Sequence, residues 1–167
     1  MIKFLKIRDV KNPQRKAGED AGIDLFVPAY SAEFENALRS KNPEIFISRY
    51  CFEVEPHGDV LIPAGIKSKF DKNLALIACN KSGVCTNTQL IVGAQVIDSS
   101  YQGEWHIHLI NSSNERVTIE YGVKLVQFIP VYINTDEHEV VDNMTEDEFY
   151  TEKTARGEGG FGSTGII

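Results

Sequence analysis

A chain of 167 residues, 42% hydrophobic and 25% charged, has the length and balance of one globular domain, which excludes disorder along the whole chain. It is long enough to bury an independent core without disulfide or metal staples. Its net charge of -7 repels polyanions at long range. That argues against a nucleic-acid surface but still allows a small phosphorylated ligand held by a few local cations and a metal.

Residues 2–7 are predicted as a first strand. Ser31 is placed to cap a helix running to about Ser40, with Phe34, Ala37 and Leu38 on one face, Glu33 near its positive end and Arg39 near its negative end. From 46 to 54 the alternation puts Phe46, Tyr50, Phe52 and Val54 on one strand face, with Ser48 between them. Strands at 60–62, 66–70 and 74–78 follow, separated by Pro56-His57-Gly58-Asp59 and Pro63-Ala64-Gly65 turns. Further strands are predicted at 90–97, 105–110, 117–119 and 123–133. Many short strands at this spacing predict an all-β sandwich or barrel. Thr145-Glu146-Asp147-Glu148 matches a capping box, so a short helical turn is expected to Tyr150. The segment 151–165, TEKTARGEGGFGSTG, carries five glycines between Gly157 and Gly165. It cannot pack a core and reads either as a disordered tail or as a mobile loop that orders on a ligand.

Cys51, Cys79 and Cys85 are odd in number and form no C-x-x-C, so reduced, partly buried thiols are expected. The first residues have no signal-peptide core, and no stretch approaches the ~18 apolar residues of a membrane span. A cytoplasmic protein without membrane contact is the expectation.

Four stretches carry groups with chemistry. In the tail, glycines let successive N–H groups approach a phosphate, Arg156 can grip phosphate oxygens as a fork, and Ser163 and Thr164 add hydroxyls. Phe161, an apolar ring among glycines, can stack on a base or be a stray ring in a disordered tail. Asn80-Lys81-Ser82-Gly83 follows a strand and offers either phosphate donors or an ordinary surface turn. Asp98 ends an apolar strand, where a carboxylate can prime a water or cap the turn, and Tyr101 is three residues on. Asp24, set between Ile23 and Leu25, calls for a cation, a metal-bound water or a backbone donor. His106 and His108 share a strand face; without a third ligand they read as a surface pair or part of a subunit contact.

Taken in order, these stretches resemble the five motifs of the trimeric dUTPase family: AGIDL at 21–25, Lys81-Ser82-Gly83, Gly93 through Gly103, GVKLVQ at 122–127, and RGEGGFGSTG at 156–165. The resemblance implies a distorted jelly-roll β-barrel with a short inserted helix. It divides the chain into a β domain at 1–150 and a C-terminal arm at 151–167 that closes over an active site. It further implies a homotrimer with shared sites, dUTP as substrate and magnesium as cofactor. Asp98 would then be the general base and hold the sugar 3′-hydroxyl, and Tyr101 would pack under the deoxyribose and exclude a 2′-hydroxyl. The hairpin containing Val92, Gln95, Val96 and Ile97 would read uracil. Lys81, Ser82 and Gly83 would hold phosphates, with Gln127 supporting that side. Asp24 would bind magnesium through water. Phe161 would stack over uracil while Arg156, Gly162, Ser163 and Thr164 clamp the β- and γ-phosphates.

The chain departs from the family pattern in places. Lys81 stands where arginine is usual, Gln95 where glycine is frequent, and Ser100 where an acid is common. Residues 29–51 look like an insertion. Two rivals share the fold: a dCTP deaminase or bifunctional relative, and a non-catalytic relative that binds a protein partner. The intact set Asp24, Ser82, Asp98, Arg156 and Phe161 argues against the second.

Overall fold

Short β-branched and aromatic runs punctuated by turn residues fold as strands joined by tight connections. The computed structural model describes residues 1–134, 141, 143–152 and 154. In chain order the elements are β1 (Lys3–Lys6), β2 (Ile23–Phe26), α1 (Ala32–Lys41), β3 (Phe46–Ile47), β4 (Cys51–Val54), β5 (Asp59–Pro63), β6 (Ile66–Lys69) and β7 (Leu74–Asn80). They continue as α2 (Ser82–Thr88), β8 (Leu90–Val92), β9 (Val96–Asp98), β10 (His106–Asn111), β11 (Val117–Glu120), β12 (Lys124–Tyr132) and α3 (Glu146–Phe149). Pairing is antiparallel: β1 with β6, β10 between β5 and β8, β4 between β11 and β3, and a sheet ordered β2-β12-β7-β9. This is an all-β, jelly-roll-like arrangement whose sheets remain open.

Residues 1–134 form one compact unit and 135–167 a second. In the first, Trp105 is fully buried, with its ring 4.8 Å from that of Phe128 and 5.7 Å from that of Phe4. Its indole N–H donates to Ser68 Oγ, so the ring is buried without an unpaired donor. In the second, Thr145 caps α3 as predicted: its hydroxyl accepts from Glu148 N–H, and the Glu148 carboxylate accepts from Thr145 N–H.

The predicted cap at Ser31 is present, Oγ accepting from Phe34 N–H at 3.0 Å. Phe34 and Leu38 are fully buried, each side chain stabilising the fold by roughly 1.5–3 kcal/mol. Asn42 stitches the helix end to β5, donating to Leu38 and Leu61 carbonyls and accepting from Leu61 N–H. Helix α1 is therefore part of the core.

Three local predictions are revised. The strand expected at 46–54 is a hairpin. Ser48 Oγ accepts from the N–H groups of Tyr50 and Cys51, and this side-chain turn reverses the chain. Phe52 and Val54 are buried, whereas Phe46 and Tyr50 are exposed. The strand expected at 90–97 divides into β8 and β9 around residues 93–95, where the N–H groups of Gly93 and Ala94 turn toward His108. The stretch beginning at Ser82 continues beyond a turn into α2, which ends at Gln89 in left-handed backbone with φ 56°. All three cysteines are free and half-buried, as expected.

Candidate active site

Asp24 lies on β2, which is buried at every position. Only 5% of the residue is exposed, so its charge demands partners. Antiparallel pairing sets Gln127 of β12 opposite it and brings Lys124, at the start of β12, alongside. Lys81 follows the end of β7, the other neighbour of β12. Lys81 Nζ reaches Asp24 Oδ1 at 2.5 Å and Lys124 Nζ reaches Oδ2 at 2.7 Å. Burial pushes the Asp24 carboxyl up, but hydrogen bonds from Lys124 and Lys81 outweigh it and hold the group below the ordinary carboxylate range. Two ammonium groups around one carboxylate leave the cluster with a net positive charge, suited to an incoming anion.

Two clefts meet at this cluster. One of about 570 Å³ runs along α2 and β12 and is lined by Lys81, Ser82, Gly83, Lys124 and Gln127 among others. A smaller one of about 300 Å³ is lined by Asp20, Gly22, Asp24, Lys81, Lys124 and Gln127 among others. Ser82 and Gly83 are exposed in the first turn of α2. Gln127 Nε2 donates to Asn80 O at 3.0 Å. Gly22 accommodates that amide, since a Cβ there would lie 2.2 Å from Gln127 Oε1.

The second group of predicted residues lies on the β8–β9 hairpin and the turn after it. Val92 N–H donates to Asn80 Oδ1 at 2.7 Å, and Gln95 O accepts from Ala78 N–H at 2.7 Å. Val96 is 59% exposed, Ile97 is half-buried and Asp98 is exposed at the end of β9. Asp98 O accepts from Tyr101 N–H. Tyr101 is held by its hydroxyl, which donates to Glu104 O at 2.9 Å. Gly103 makes room for it, because a Cβ there would lie 2.3 Å from that hydroxyl oxygen. Glu104 is itself fixed by a forked pair with Arg8, at 2.8 and 2.9 Å, and by Gly65 N–H at 2.9 Å. Burial works against Glu104 ionisation, but the Arg8 fork and Gly65 hold its carboxyl below the ordinary range.

One chain thus brings Asp24, Lys81, Ser82, Gly83 and Gln127 together at the two clefts, while Asp98 and Tyr101 are not among the residues lining either. Arg156, Phe161, Gly162, Ser163 and Thr164 lie outside the described residues. Sequence reasoning gave Lys124 no role of its own, placed Asn80 only at the head of the Lys81-Ser82-Gly83 stretch, and read His108 with His106 as a surface pair or part of a subunit contact. The buried acid signalled a missing cation, but nothing local to Asp24 identifies a lysine 100 residues away. His106 and His108 take separate partners, Glu104 O and Asp59 respectively. No group of three or more His, Cys, Asp or Glu suited to a metal occurs among the described residues.

The sequence pattern of the dUTPase family matches residues 46–165. A deoxyuridine 5′-triphosphate nucleotidohydrolase of Legionella pneumophila is 36% identical over 147 residues, covering 86% of this chain and 90% of that protein. The dUTPase of Staphylococcus bacteriophage 80alpha, solved with dUPNHPP, superposes with a TM-score of 0.74 at 21% identity over 99% of both chains. A mutant dUTPase from S. aureus phage phi11, solved to describe its coordination of a structural Mg(II) ion, superposes with a TM-score of 0.66 at 19% identity, covering 86% of this chain and 97% of that one. With a family match across more than half its length and a relative above 30% identity, the chain belongs to the dUTPase family.

Proposed function

We propose that the chain works as a homotrimer whose shared sites cleave the α–β phosphoanhydride of dUTP, giving dUMP and pyrophosphate. Its family makes it an enzyme, a dUTP nucleotidohydrolase. The observation that carries the finer reading is the cluster of Lys81 and Lys124 around Asp24, opening into clefts edged by Ser82, Gly83 and Gln127. This is a preorganised, positively charged cradle for a polyphosphate.

Within one chain Asp98 and Tyr101 do not line the clefts at the lysine cluster. Val96, Asp98 and Tyr101 are exposed on the hairpin and the turn after it. A second copy offering that hairpin to the phosphate clefts completes the site, and the arm at 151–167 of a third closes it. In that site Asp98 takes the proton of the water that attacks the α-phosphorus. The Tyr101 ring, pinned by Glu104 O, floors the deoxyribose and leaves no space for a 2′-hydroxyl. Backbone groups of 92–97 pair with uracil, and cytosine would leave them unmatched. Gln95 replaces a frequent glycine in that hairpin without displacing its backbone from β7, since its carbonyl still accepts from Ala78 N–H. Arg156, Gly162, Ser163 and Thr164 grip the β- and γ-phosphates, and Phe161 covers the base.

The residues present fit a magnesium ion bound through water rather than directly. Both Asp24 oxygens accept a lysine N–H yet keep free lone pairs, and Lys124 is only partly buried. Magnesium chelated by the triphosphate would supply charge neutralisation and alignment of the reacting phosphorus. No helix among the described residues is long and apolar enough to cross a membrane. The three free cysteines suit a reducing cytoplasm.

The test is a product assay of the purified chain with magnesium, comparing dUTP with dCTP. Pyrophosphate released from dUTP, without ammonia from dCTP, supports the reading; ammonia from dCTP, or no product from dUTP, overturns it.

A further inference from the structure

The loop at 93–95 rests on His108. Leu109 of β10 pairs with Val92 of β8, and the ladder extends one step through Gly93 N–H to His108 O at 3.0 Å. At the next residue the side chain takes over from the strand: Ala94 N–H donates to His108 Nδ1 at 3.0 Å. A backbone N–H can only donate, so Nδ1 carries a lone pair and the ring proton sits on Nε2. Asp59 Oδ2, on the neighbouring strand β5, lies 2.9 Å from Nε2 and accepts that proton's hydrogen bond. The carboxylate therefore selects the tautomer that can hold the loop. Gly93 completes the fit: a Cβ there would lie 2.2 Å from Nδ1 and 2.5 Å from Cε1, so only glycine lets the ring lie against the loop.

We infer that His108 is a positioning residue for base recognition, with Asp59 setting its tautomer. It holds the backbone of residues 93 and 94 in place for the hairpin that reads uracil. This rests on the assignment of residues 92–97 to the base. Base selection by backbone groups depends on their placement, and a shift of about 1 Å at such a site costs roughly 100-fold. Without the Nδ1 acceptor, the exposed Ala94 N–H turns to water and the loop samples other positions. The fold keeps its β8–β10 ladder, so the effect falls on selectivity rather than on folding.

The test uses the full-length chain with three substitutions. His108→Ala removes the acceptor. His108→Asn keeps one, because its amide oxygen can take the place of Nδ1. Asp59→Ala leaves the ring but frees the tautomer. The expected result for His108→Ala is a roughly 10-fold higher KM for dUTP and a roughly 10-fold lower preference for dUTP over dCTP, of the size set by one misplaced pairing group. Its kcat should change less than about twofold, as for lost uniform binding. His108→Asn should recover most of the loss, and Asp59→Ala should shift KM the same way by a smaller factor. Unchanged KM and selectivity in His108→Ala, or equal defects in the alanine and asparagine variants, would overturn the inference. Should His108→Ala fail to fold, an unaltered KM in Asp59→Ala overturns it instead. Hydrogen exchange of residues 92–97 in the unsubstituted protein with and without dUMP separates this inference from the reading beneath it. No protection of that segment refutes the hairpin assignment itself, whereas protection combined with a normal His108→Ala refutes only the role of His108.

Discussion

Asp24 and Lys81 stand 57 positions apart in the chain and meet at 2.5 Å in the fold. Lys124 closes the other side of the same carboxylate at 2.7 Å. One buried acid thus fixes two cations where the two clefts meet. Lys81→Ala should lower kcat/KM for dUTP by roughly 100-fold, the scale of removing one preorganised donor, as read from initial rates. Asp24→Ala leaves both lysines without their acceptor and should cost about 1–3 kcal/mol of stability, measured by urea unfolding.

Gly22 and Gln127 offer a test that leaves every charge in place. Gly22→Ala would put its Cβ 2.2 Å from Gln127 Oε1 and 2.9 Å from Gln127 Cβ, so the amide must leave its place beside Asn80. The expected outcome is a KM for dUTP raised about 3- to 10-fold with a smaller change in kcat, the pattern of lost uniform binding. Steady-state kinetics of the single variant check it.

Acid should destabilise the protein in two stages. Burial holds His106 below its ordinary pKa, so the unfolded chain takes up this proton first, and the contribution begins to fall as pH drops through about 6.5. Asp24 and Glu104 are held below the carboxylate range by their lysine and arginine partners. Their contribution is complete above about pH 4 and is lost as pH falls below it toward their folded values. Urea midpoints measured from pH 8 to pH 3 should show a plateau, a shallow decline and then a steep one. Asp24→Asn should flatten the steep limb and leave the shallow one.

The segment 29–51 contributes to the core through Phe34, which is fully buried and meets the Tyr121 ring edge-on at 5.9 Å. Phe34→Ala should cost about 3–5 kcal/mol, measured by urea unfolding. A loss below about 1 kcal/mol would mean that the helix is dispensable.

Much of this organisation was legible along the chain. The Ser31 cap, the apolar face of α1, the Thr145 capping box and most strands follow from local spacing. So did the buried acid at Asp24 and the turn after Asp98. What could not be read depends on distance in sequence. The side-chain turn at Ser48 overrode the period-two pattern of 46–54. The identity of the cations on Asp24 was settled by β12 pairing with β2 on one side and β7 on the other. The histidines were read as a surface pair or part of a subunit contact because the acceptor role of His108 depends on a loop 14 residues earlier and an acid 49 residues earlier.

The central claim is that dUTP is hydrolysed in sites built from more than one copy of the chain, and subunit mixing tests it most directly. Asp98→Asn and Lys81→Ala chains are each purified, assayed alone, then unfolded and refolded together before assay with dUTP and magnesium. Asp98→Asn alone should lose at least about 100-fold in kcat while still binding dUTP. In the mixture some sites draw an intact Asp98 from one chain and an intact Lys81 from another, so activity should rise to roughly a quarter of the unsubstituted protein's. A mixture no more active than the average of its two parents, with mixed oligomers present by native mass spectrometry, would contradict the account.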